Sequence, residues 1–72
     1  MAWSSMTYRI DFYREGAIVS VVKDLEDLSA AKRTAEKEVA TRDAEIALVI
    51  DVDGTGTEVA SIRQDTMAWD DE

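Results

Sequence analysis

Apolar residues recur at helical spacing in one part of the chain, residues 27–42. Asp27 opens this stretch and is suited to cap a helix, because its carboxylate accepts hydrogen bonds from the first amide groups, and Ser29 is the alternative cap. The apolar positions follow at intervals of three, four and four residues, which places them on one stripe. They are Leu28, Ala31, Ala35 and Val39. The pattern predicts one amphipathic helix, whose small alanine side chains allow it to lie close to a sheet.

Two strands joined by a tight turn are predicted before the helix. Residues 7–14 alternate between apolar and polar side chains, and residues 17–23 are rich in valine and isoleucine. A two-residue turn at 15–16 sets a register in which apolar residues of the two strands face each other. The core residues predicted from this register are Tyr8, Ile10, Phe12, Val19 and Val21.

A second hairpin is predicted after the helix. Residues 45–52 form the most apolar run of the chain and predict a central strand, and residues 58–64 predict its partner. An odd number of residues in the connecting turn places Ala60 and Ile62 in the core, whereas an even number places Val59 there. The odd turn is preferred. The predicted core face of the central strand carries Ile46, Leu48 and Ile50.

The predicted order of elements is β-β-α-β-β. This order predicts an α+β two-layer sandwich, in which two antiparallel hairpins form a sheet and the helix packs on one face. The strands before and after the helix are expected to be parallel, either adjacent or separated by the first strand. Since no second helix covers the other face, apolar side chains there are expected to form an interface. The predicted interface residues are Tyr13, Ile18, Val22, Val49 and Val59.

The domain boundaries follow from where the periodic patterns begin and end. Residues 1–6 are predicted to be a flexible N-terminus, residues 7–64 a single domain and residues 65–72 an acidic tail. A chain of 72 residues builds only a thin core and usually needs a further source of stability. The chain has no Cys and no His, which excludes disulfides and the usual zinc ligand sets. Association of two copies is therefore the expected supplement, and no cofactor is expected.

The chain carries no recognisable targeting segment. No stretch approaches the ~20 apolar residues that span a bilayer. The first residues lack the basic region and the apolar core of a signal peptide. The absence of Cys is compatible with a reducing compartment. We therefore expect a cytoplasmic protein without a membrane partner.

The chain is acidic, with a formal net charge of -8. This charge disfavours binding to phosphate backbones, so no nucleic-acid partner is expected. From Asp51 onward there are seven acidic residues and one basic residue, Arg63, so this third contributes a net -6. An acidic surface aids solubility. It also suggests an alternative function, in which the chain is an adaptor or inhibitor that binds a basic protein, as a nucleic-acid mimic does.

One motif suggests chemistry. The segment VIDVDGT at 49–55 resembles the first motif of the haloacid dehalogenase-like phosphatases. The resemblance implies that Asp51 is a nucleophile and Asp53 an acid/base, a recognised covalent strategy. That family uses a doubly wound domain of well over a hundred residues, whereas about 20 residues follow the motif here. Asp-Gly is also among the commonest signals of a hairpin turn, and the turn is the preferred interpretation.

The same segment partly fits a calcium-binding loop. Asp51, Asp53 and Thr55 occupy the first three ligand positions, and Gly56 occupies the sixth position of the loop. The twelfth position is Ile62 instead of the required Glu, and the flanking segments are predicted strands. Without His or Cys a catalytic triad of the usual kind cannot form, and the chain has no glycine-rich phosphate loop that ends in Lys-Ser/Thr. We therefore predict a protein that is not an enzyme and has no metal site.

The layout as a whole resembles a group of small uncharacterised bacterial domains. In these, a hairpin leads to a helix that opens Leu-x-x-Ala-x-x-x-Ala, and a second hairpin follows with an Asp-x-Asp-Gly turn. The matching residues here are Leu28, Ala31 and Ala35 in the helix and Asp51 to Gly54 in the turn. The resemblance implies the β-β-α-β-β fold and no particular activity. The preferred function is a homodimeric interaction module that associates through the uncovered face of the sheet.

Overall fold

A computed structural model describes residues 7–52, 54 and 56–71. They form one five-stranded sheet and one helix. The elements are β1 (Tyr8–Arg14), β2 (Ala17–Leu25), α1 (Leu28–Thr41), β3 (Ile46–Asp51), β4 (Glu58–Arg63) and β5 (Trp69–Asp71). The predicted flexible N-terminus, residues 1–6, lies outside the described residues. No helix in the described part of the chain is long and apolar enough to cross a membrane.

The sheet has the strand order β2-β1-β3-β4-β5, and all neighbouring strands are antiparallel. Because β1 pairs antiparallel with both β2 and β3, these two strands are parallel and β1 separates them. This decides between the two arrangements that the sequence left open. Helix α1 packs on one face of the sheet, so the predicted two-layer α+β fold is confirmed.

The ends of α1 are set by local sequence, as predicted. The Asp27 side chain accepts a hydrogen bond from the Ala30 N–H at 2.7 Å. At the other end, Asp43 adopts φ +58 and the amides of Asp43 and Ala44 bond back to Ala40 and Val39. This pair of hydrogen bonds is a Schellman motif, which satisfies the last carbonyls of the helix. It also turns the chain into β3.

The core lies between α1 and the sheet. Ala31, Ala35 and Val39 of the helix are fully buried against the sheet. The small helix side chains leave room for large ones from the strands, and the largest is Phe12. Of the predicted core residues, these are confirmed: Tyr8, Ile10, Phe12, Ala60 and Ile62.

Strand β2 differs from its predicted register. The pairing of β1 with β2 is irregular between Phe12 and Tyr13, where Val19 has no partner on β1. This bulge shifts the alternation of β2 by one residue. The prediction that Val19 and Val21 belong to the core is wrong, because they are 43% and 40% exposed. Val22 packs against the core in their place.

The face of β3 that packs against α1 is the opposite of the one predicted. Ala47 and Val49 are fully buried under the helix. Ile46, Leu48 and Ile50 therefore lie on the other face, and their predicted place beneath the helix is wrong, although Ile50 is buried there at 8% exposure. The pairing explains the choice, because β1 sets Ala47 beside Phe12 and Val49 beside Ile10. Small residues next to large ones fill the thin layer beneath the alanine stripe.

The predicted acidic tail contains a fifth strand. Trp69 pairs with Ile62 of β4, and its ring packs against the core. The indole Nε1–H donates a hydrogen bond to Glu36 of α1 at 2.6 Å, and Lys32 lies 5.1 Å from the ring centroid. A hydrogen bond to a carboxylate and a cation–π contact fix β5 against the helix.

Candidate interaction face

The face of the sheet opposite α1 is here called the open face. Helix α1 is the only described element that is not a strand, and it packs on the other face. In an antiparallel sheet, paired residues share a face and alternate along each strand. The pairings therefore assign these apolar side chains to the open face: Tyr13 of β1, Ile18 and Val21 of β2, and Ile46, Leu48 and Ile50 of β3.

The apolar side chains of the open face are concentrated on β2, β1 and β3. Ile18 at the edge is 50% exposed, while Ile46 and Leu48 at the centre are half-buried and Ile50 is 8% exposed. Strand β4 carries Ser61 and Arg63 at the same level of the sheet, so that side is polar. The open face is thus an apolar half beside a polar half.

An ion pair lies within the apolar half. The Arg9 Nε–H donates to Asp11 Oδ1 at 2.9 Å, and Nη2 donates to Oδ2 at 3.2 Å. The Asp11 side chain is only 7% exposed and the Arg9 side chain is 38% exposed. A bidentate ion pair of this kind satisfies both carboxylate oxygens and fixes both side chains.

The predicted interface residues divide between the two faces. Tyr13 and Ile18 pair with each other on the open face, as predicted. Val49 is fully buried in the core and Val22 packs against it, so their predicted place on the open face is wrong. Val59 lies at an irregularity of the β3–β4 pairing, half-buried against the core instead of on the open face.

Sequence reasoning missed the residues that β3 places on the open face. The sequence places Leu48 and Ile50 in the predicted core. When both faces of a strand are apolar, the alternation of residues does not indicate which face packs against the helix. The pairing of Arg9 with Asp11 was missed as well. Its signal was an acid and a base two residues apart on a strand, which places both on one face.

The DVDGT segment forms the turn between β3 and β4. Asp51 Oδ1 accepts a hydrogen bond from the Gly54 N–H at 2.9 Å, and the Asp51 backbone bonds to Gly56 and Thr57. A side-chain Cβ at Gly54 would clash with the Asp51 carboxylate, which would have to move and give up its hydrogen bond to the turn. Asp53 and Thr55 lie outside the described residues. Among the residues that are described, no group of three acidic side chains is placed to hold a metal ion.

Several acidic residues lie at one end of the sheet. Strands β2 and β3 end, and α1 and β4 begin, at this end. The described acidic residues there are Asp24, Glu26, Asp27, Asp51 and Glu58. At the opposite end, three arginines each pair with an acid; these pairs are Arg14–Asp43, Arg42–Glu38 and Arg63–Asp65.

Comparison with known proteins adds no relative. No protein-family model, no curated protein sequence and no solved structure matches the chain. The resemblance to small bacterial domains stays a prediction. The inference of function therefore rests on the geometry of the open face.

Proposed function

We propose that the protein is a non-enzymatic interaction module that forms a homodimer through its open face. The observation that carries this proposal is the row Ile46, Leu48 and Ile50, which the central strand β3 presents on the face opposite α1. A single domain of this size has one thin core, and a second copy would cover the apolar half of the sheet.

The size of the open face supports a dimer. Five strands spaced about 4.8 Å apart and about six residues long at about 3.3 Å each give a face of about 480 Å². Two such faces bury about 1,000 Å² together, which is at the lower end of specific protein interfaces. We therefore expect a reversible dimer of moderate affinity, in which the two sheets pack face to face.

A charge placed at the centre of this face is expected to abolish the dimer. Leu48→Lys puts an ammonium group in the apolar half, where the second copy would have to desolvate it. We expect a folded monomer by size-exclusion chromatography with light scattering and by circular dichroism. Ala40→Lys is the matched control, because it adds the same charge to an exposed position of α1. A dimer that survives Leu48→Lys unchanged would contradict the open face as its interface.

A second candidate function is binding of a basic protein. It is favoured by the acidic residues at one end of the sheet, where the described residues Asp24, Asp51 and Glu58 come from three different strands. Attraction of this kind is long-ranged and is screened by salt. A complex that forms at low ionic strength and dissociates at high ionic strength, with Leu48→Lys as well as with the unmodified chain, would distinguish this function from the first.

A further inference from the structure

The Arg9–Asp11 pair occupies an unusual place for an ion pair. It lies beside Leu48 and Ile50 on the face that α1 leaves uncovered, and the Asp11 side chain is almost fully buried there. Two of the five N–H groups of Arg9 bond to Asp11. The Arg9 side chain is 38% exposed, and three of its N–H donors are not bonded to Asp11.

The net charge of the open face favours a second copy of the chain as its binding partner. The whole chain has a net charge of -8, so two copies repel each other at most orientations. The open-face positions of β1 and β3 carry one base and one acid, Arg9 and Asp11, and are neutral together. A basic partner would gain little from a neutral apolar surface, whereas a second copy meets the least repulsion there.

Strand β1 is complementary to itself across a two-fold axis. In a symmetric dimer, if residue i of one copy contacts residue j of the other, then j also contacts i. Consider a two-fold axis that lies between the two sheets, perpendicular to the strands and at the level of Ile10. It places the two copies of β1 over each other in antiparallel orientation. Arg9 of each copy then faces Asp11 of the other.

Strand β3 is compatible with the same axis. Ile10 pairs with Val49, so an axis at the level of Ile10 crosses β3 at Val49. This places Leu48 of one copy over Ile50 of the other. It also places Ile46 over Val52, which continues the same alternation and is 45% exposed. About this axis, apolar residues of β3 face apolar residues of the other copy. The charged residues Arg9 and Asp11 of β1 face residues of opposite charge.

The geometry points to a dimer with its two-fold axis at the level of Ile10 and Val49, in which the Arg9 side chain of each copy lies over the Arg9–Asp11 pair of the other, facing its Asp11. This inference rests on the proposed homodimer and specifies its register. A buried ion pair of this kind adds little affinity over an apolar contact, and its best-attested role is to fix one register among several. Arg9 and Asp11 are then specificity-determining residues, and the apolar row supplies the affinity.

Exchange of the two charges tests the contact. The variant Arg9→Asp/Asp11→Arg keeps an ion pair within each protomer and should form its own homodimer. In a mixture with the unmodified chain, a mixed dimer would place arginine over arginine and aspartate over aspartate. Such like-charge contacts cost several kcal/mol, so mixed dimers should fall below about one in ten, far from the about one in two of random pairing. Since the two chains have equal mass, one is labelled with ¹⁵N and the dimers are counted by native mass spectrometry.

The matched control is Arg63→Asp/Asp65→Arg. These residues have the same types and the same spacing of two, but they are exposed, with side chains 62% and 67% accessible. We expect the control to form mixed dimers at random. Random pairing by the Arg9/Asp11 variant would overturn the proposed register while leaving the homodimer in place. A monomeric unmodified chain would overturn both, so the two failures are distinguishable.

A second set of variants applies if the exchanged chain does not fold. Arg9→Met leaves the Asp11 carboxylate without its partner and is expected to weaken the dimer at least about 100-fold, whereas Arg9→Met/Asp11→Leu removes both charges and should restore it to within about tenfold. Arg63→Met is the control. Equal affinity of Arg9→Met and Arg63→Met would overturn the contact.

Discussion

Val49→Lys is expected to unfold the protein, whereas Leu48→Lys leaves the fold intact. The two positions are neighbours on β3, but Val49 has no accessible surface and lies under α1. An isolated ammonium group in the core is stable only when it is deprotonated or when the surrounding structure opens. A small domain has about 5 kcal/mol of stability, which this substitution is expected to exceed. Far-ultraviolet circular dichroism and urea titration measure the difference.

The pair of lysine variants also tests which face of β3 forms the core. Leu48 lies on the open face and is half-buried, so its lysine reaches solvent in the monomer. If Leu48→Lys unfolds the protein and Val49→Lys does not, then Ile46, Leu48 and Ile50 form the core. That result would remove the apolar row from the open face and with it the basis for the proposed dimer.

Phe12→Ala is expected to destabilise the protein by about 3–5 kcal/mol, since it removes a large core side chain and leaves a cavity. Phe12 is the largest fully buried side chain among the described residues. Its strand neighbours are Ala47 and Ser20, which are too small to fill the space. The loss is a large fraction of the stability of a domain of this length. Thermal and urea unfolding at a fixed protein concentration measure it.

Tyr13→Ala is the control for the loss of an aromatic ring. Tyr13 is adjacent to Phe12 but half-buried on the open face. We expect this variant to keep most of the stability of the monomer and to weaken the dimer. If Phe12→Ala and Tyr13→Ala destabilised the monomer equally, the two faces of β1 would be equally buried, in contradiction to the described core.

The elements that local chemistry specifies were predicted from the sequence. Helix α1 was predicted together with its N-cap Asp27, because the helical period and capping depend on residues within one or two turns. The face of β1 that carries Ile10 and Phe12 was predicted as well, since its alternation is unambiguous. These elements gave the α+β two-layer class.

The phases of β2 and β3 were not predictable from periodicity alone. Both strands are apolar on both faces, so a shift of one residue costs little in hydrophobic pattern. The bulge at Val19 moved Val22 inward, and the size match of Ala47 with Phe12 fixed β3. Both depend on contacts between distant parts of the chain. The same holds for β5, because the hydrogen bond from Trp69 to Glu36 joins residues 33 apart.

The sequence predicts that the sheet has an open face, but it predicts only some of the residues on that face. The sequence predicts the open face, because one helix covers only one face of a sheet. Tyr13 and Ile18 were assigned to it from the alternation of β1 and the short first turn, which hold in the structure. The rest depended on the phase of β3. Once that phase is reversed, the open face gains Ile46, Leu48 and Ile50 in place of Val49.

Sedimentation equilibrium of the unmodified chain tests the proposed dimer most directly. The chain has a mass of 8.0 kDa, so a dimer has twice that mass, about 16 kDa. We expect the average mass to rise from the monomer to the dimer value as the concentration increases through the micromolar range, and to rise no further. A mass that stays at 8.0 kDa up to about 100 μM would contradict the proposed function, because an interface of about 1,000 Å² should assemble by then.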